Sequence, residues 1–61
     1  MRPKAAFEFY SEYTMRGLTF FWRLRDGAGY VLAISHGYGT RSSALRAAKR
    51  LRDIVQKAVI T

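Results

Sequence analysis

The stretch "LTFFWRLR", residues 18–25, decides the fold. Its side chains alternate, with Leu18, Phe20, Trp22 and Leu24 on one face and Thr19, Phe21, Arg23 and Arg25 on the other. A period of two marks a strand with one buried face, and aromatic side chains suit a pleated surface. The first face is assigned to the core. The second directs one ring and two guanidinium groups toward solvent.

Downstream, "DGAG" (26–29) reads as a hairpin turn, because Asp and Gly accept the backbone angles of a tight reversal. "YVLAIS" (30–35) predicts a third strand, apolar almost throughout, as in a central strand or one covered on both faces. Its pattern does not single out the face that meets a helix. After "HGYG" (36–39), the run "TRSSALRAAKRLRDIVQKAVIT" predicts a helix near 41–58, with Thr40 as N-cap and Ser42 as the next candidate. Ala44, Ala48, Leu51, Val55, Ala58 and Val59 recur at helical spacing, and Ala47 and Ile54 widen the stripe. At about 100° per residue, Arg46, Lys49, Arg50, Asp53 and Lys57 fall on the opposite side. Arg41 and Arg52 flank the stripe, where their stems can cover its edge.

Upstream, "AAFEFY" (5–10) alternates as a first strand, and Pro3 suits a strand start. "SEYTMRG" (11–17) breaks that pattern and is longer than a tight hairpin loop, ending at Gly17. The expected fold is therefore α+β: one domain over 1–61, a three-stranded antiparallel meander packed on one C-terminal α-helix.

Composition narrows the chemistry. A chain of 61 residues buries little surface, and small domains compensate with disulfides, metals or partner subunits. There is no cysteine and one histidine, His36, so disulfides and a protein-built metal site are both excluded and a homodimer is expected. The net charge is +7, concentrated in residues 40–61, where six Lys and Arg meet Asp53 alone. Such a surface attracts polyanions. No run is long and apolar enough to cross a membrane, and "MRPKAAFEFY" lacks the apolar core of a secretion signal; a cytoplasmic protein is expected.

With "FEFY" (7–10), "FWRLR" (21–25), Gly29, "VLA" (31–33) and "GYGTR" (37–41) in this order, the chain resembles the YegP-like family of small proteins over roughly residues 7 to 57. Trp22, Arg23 and Leu24 match the end of the family's second strand, and Gly37 and Tyr38 its Gly-Tyr before the helix. Ala28 stands where the family has Asn, and "RAAKR" (46–50) where it has Asn-Gly-Ile. The resemblance implies a three-stranded sheet with one helix, in tandem copies or as a single copy that dimerises by exchanging elements. It implies no activity.

No catalytic set is present. The serines lack a base with an orienting carboxylate, and the glycines around "GYG" lack the Lys-Ser/Thr of a phosphate loop. Neither enzymatic activity nor a cofactor is expected. The sharper expectation is a binding module that contacts nucleic acid or a nucleoprotein complex. Two surfaces are candidates: Phe21, Arg23 and Arg25 on the sheet, as in three-stranded domains that read the DNA major groove, and Arg46, Lys49, Arg50 and Lys57 on the helix. The competing expectation is a protein-interaction module, or a phage-type inhibitor or accessory protein, that meets an acidic partner or a second copy through exposed Tyr10, Tyr13, Phe21 and Tyr30.

Overall fold

The computed structural model describes residues 4–60. Pro3, assigned above to a strand start, lies outside them. Three strands, β1 (Ala6–Thr14), β2 (Gly17–Arg25) and β3 (Val31–Ile34), precede a helix, α1 (Arg41–Lys57). The strands form one antiparallel sheet in the order β1-β2-β3. This is the expected meander with a C-terminal helix.

Two expectations about the strands fail. Residues 11–14 are not a loop: β1 runs on to Thr14, paired with Gly17, and only Met15 and Arg16 make the turn. The alternation in fact continues through Ser11 and Tyr13, on the face of Phe7 and Phe9. The helix does not reach that end of the hairpin, so no burial demands an apolar pattern there, and Tyr13 is 86% exposed. Gly17 takes φ 98°, the left-handed value that lets a short reversal rejoin the strand. Second, β3 is neither central nor covered on both faces. β2 is the central strand, and Val31, Leu32 and Ile34 at the edge are exposed.

The β3 edge is irregular for identifiable reasons. Arg25 pairs with Val31 but Leu24 with Ala33, so Leu32 is an extra residue, a β-bulge. Beyond Ile34 the register shifts again, and pairing resumes only at Tyr38, which exchanges two backbone hydrogen bonds of 2.8 Å with Phe20. In the gap, Ser35 substitutes a side chain for backbone: its Oγ accepts from the Trp22 N–H at 3.0 Å, while its own N–H donates to the Trp22 carbonyl. Gly37 passes so close to β2 that an added Cβ would lie 2.5 Å from the Thr19 methyl. Thr19, expected to face solvent, is therefore buried. The preceding turn is held by Asp26, whose Oδ1 accepts from the N–H groups of Ala28 and Tyr30, and Gly29 supplies its positive φ.

The Thr40 hydroxyl caps α1, accepting from the Ser43 N–H at 3.1 Å. The helix rests on β2. Trp22 sits under Ala44 and Ala48, whose small side chains allow the close approach, and Phe7, Phe20, Leu24, Ala33, Tyr38 and Leu51 surround it. Phe7 meets the Trp22 ring edge-on at 5.3 Å between centroids. Ala33 thus identifies the face of β3 that meets the helix. The predicted apolar stripe is only half used. Ile54 and Val55 lie exposed, as does Leu18 at the far end of β2, because one helix covers only the middle of the sheet; Ala58 and Val59, counted in the stripe, lie beyond the helix, whose backbone turns extended at Ala58.

Candidate nucleic-acid interface

The sheet's outer face brings Phe21, Arg23 and Arg25 together, but not as free binding groups. The two-residue turn at Met15 and Arg16 sets Glu8 opposite Arg23 and Tyr10 opposite Phe21. Glu8 Oε1 accepts from Arg23 Nε at 2.8 Å and also from Arg25 Nε. Arg25 donates further to the Gly29 carbonyl at 2.7 Å, tying the strand to its turn. The Arg23 guanidinium lies 5.2 Å above the Tyr10 ring, and Tyr10 stacks on Phe21. Hydrogen bonds from Arg23 and Arg25 hold the Glu8 carboxyl below the ordinary glutamate range. The face is a closed cross-strand network in which one carboxylate offsets two guanidinium charges.

The helix face differs. Arg46, Lys49, Arg50 and Lys57 lie within about 100° of arc at helical periodicity and span about 16 Å of axis at 1.5 Å per residue. Arg46 donates to the Ser43 hydroxyl at 3.3 Å. None of the four pairs with a carboxylate among the described residues. Asp53 lies within their arc, where Arg52 Nε approaches its Oδ1 at 3.4 Å. Four cations on one rigid helix outnumber the single carboxylate in their arc, an excess that suits the phosphate backbone of a nucleic acid.

Residues that the sequence reading did not assign to a site define the border of this face. Tyr38 and Trp22 from the sheet, with Ala47, Leu51 and Ile54 from the helix, line an apolar trough whose rim is Arg46 and Arg50. Glu8 was missed as well. It is legible once the turn is placed at Met15 and Arg16, because that register alone pairs Glu8 with Arg23. The aromatic expectations divide: Tyr13 and Tyr30 are exposed, whereas Tyr10 and Phe21 half-bury one another.

Among the described residues, no three His, Asp or Glu side chains converge to hold a metal ion, and no helix is long and apolar enough to cross a membrane. Neither a curated protein nor a solved structure matches the chain. The sequence profile described as a domain of unknown function, DUF1508, matches residues 19–61. That profile represents the YegP-like domain, and its match takes in β2 from Thr19 onward, β3 and α1. By it, the chain belongs to the YegP-like, DUF1508 family.

Proposed function

We propose that this chain is a non-enzymatic binding module that holds nucleic acid by its phosphate backbone through the α1 cations Arg46, Lys49, Arg50 and Lys57. One contrast carries the reading: among the described residues these four cations have no carboxylate partner, whereas Arg23 and Arg25 share Glu8. Phosphate contacts release counterions, so four of them give affinity for random-sequence duplex DNA a log–log salt slope of about −3.6. Fluorescence anisotropy across a salt series measures it. The paired change Lys49→Glu and Arg50→Glu lowers the slope, and Arg23→Gln with Arg25→Gln leaves it nearly unchanged. A flat salt dependence, or no binding at low salt, removes the proposal.

A second reading is a homodimer. Among the described residues no large side chain is fully buried, and Val55, Val59 and Ile60 are exposed at the helix end. A second copy that covers them would complete a small core. Light scattering at micromolar concentration would then report a dimer, and a monomer of undiminished stability would exclude it.

A further inference from the structure

The helix cations border a surface that duplex DNA cannot use. Along α1, Arg46 and Arg50 form one row at i and i+4, and Ala47, Leu51 and Ile54 form the adjacent apolar row. The second row, with Tyr38 and the edge of Trp22, floors an open trough of about 640 Å³. The shallow surface on the other side of the cations is lined by Lys49, Asp53 and Lys57, and it shares Arg46, Arg50 and Ile54 with the trough. Apolar floor and cationic ridge are therefore one continuous strip, with the arginines along its middle.

Resting on the reading of the α1 cations as a phosphate site, we propose that the occupant of this strip is a single-stranded nucleic acid. Its bases lie in the trough against Tyr38, Leu51 and Ile54, and its phosphates meet Arg46, Arg50, Lys49 and Lys57. A duplex keeps its bases stacked inside and can engage only the ridge. A single strand presents an apolar edge and an anionic edge side by side, the pairing that single-strand grooves exploit. Charge complementarity selects this occupant over a second copy of the chain. Two copies meeting trough to trough would bring Arg46 and Arg50 of each against those of the other, in a molecule whose net charge is already +7.

The test titrates the full chain with labelled oligo-dT of about a dozen nucleotides and with a duplex of the same length at one salt concentration. It follows anisotropy and the emission of Trp22, the only tryptophan. Oligo-dT is expected to bind about tenfold more tightly than duplex and to change Trp22 emission. Ile54→Ser, at an exposed position that folding tolerates, is expected to remove most of that preference while leaving duplex affinity unchanged. Arg50→Glu weakens both. Equal or tighter binding of duplex, or an Ile54→Ser variant with its preference intact, overturns the trough while the phosphate ridge stands. Binding of neither probe overturns both. A dimer that Ile54→Ser converts to a monomer identifies a second copy as the occupant and likewise overturns the proposal.

Discussion

Replacing Trp22 by Ala and, separately, by Phe weighs two opposed contributions at the centre of the core. Trp22 is only 7% exposed, and its indole N–H is buried with no hydrogen-bond partner among the described residues. An aromatic side chain buries about 150–250 Å², which at about 25 cal/mol per Å² amounts to about 4–6 kcal/mol. The unpaired N–H offsets about 1–3 kcal/mol of that gain. Truncation to Ala loses the first and recovers the second, a net cost of about 1–5 kcal/mol. A domain of 61 residues has about 3–9 kcal/mol in all, so Trp22→Ala removes roughly half of its stability. Trp22→Phe retains a ring to meet Phe7 and deletes the orphan donor, and it is expected to cost about 1 kcal/mol or less. Urea unfolding followed by far-ultraviolet circular dichroism measures both, since neither variant keeps a tryptophan. Runs at two protein concentrations separate folding from association. Equal losses in the two variants would refute the reasoning, because both delete the N–H and the ring that Phe retains would then have contributed nothing.

Two further outcomes follow from the contacts around β2. Gly37→Ala is expected to cost about 1–3 kcal/mol by overpacking the Thr19 methyl. Adding Thr19→Ser, which removes that methyl but keeps a hydroxyl, restores much of the loss in a denaturant double-mutant cycle; simple additivity would sink the steric account. Glu8 sets a pH dependence. Its folded carboxyl titrates below its unfolded value of about 4.3, so the pairing stabilises the hairpin fully above that pH and is lost as pH falls through the lowered folded value. Glu8→Gln should therefore flatten the acid side of the melting-temperature profile below about pH 4, and an unchanged acid limb would contradict the pairing.

How much was legible depended on whether burial had shaped the pattern. β2 alternates cleanly because Trp22 and its neighbours lie beneath the helix, and α1 announces itself through Thr40 and the alanines that touch the sheet. The far half of β1 was illegible because nothing covers Ser11 or Tyr13. The apolar run of β3 misled for a related reason: hydrophobic composition signals burial only where something covers it, and Val31, Leu32 and Ile34 sit at an open edge. At the candidate site, the helix cations followed from periodicity alone. The engagement of Arg23 and Arg25 by Glu8 depended on strand register, which a misjudged loop length had hidden.

The irregular edge at β3 also bears on how the molecule avoids polymerising. An apolar edge strand ordinarily invites another chain to add to the sheet. Here the extra residue at Leu32 and the break after Ile34 spoil the even spacing of N–H and C=O groups along that edge, so it makes a poor template despite its side chains. The opposite edge, β1, pairs with β2 without interruption over nine residues. Its outward backbone groups keep a regular spacing, so unwanted strand addition would begin at β1. The Glu12 carboxylate, with no cation paired to it among the described residues, is the charge on that strand that opposes such addition, and removing it should shorten the lag before fibres form.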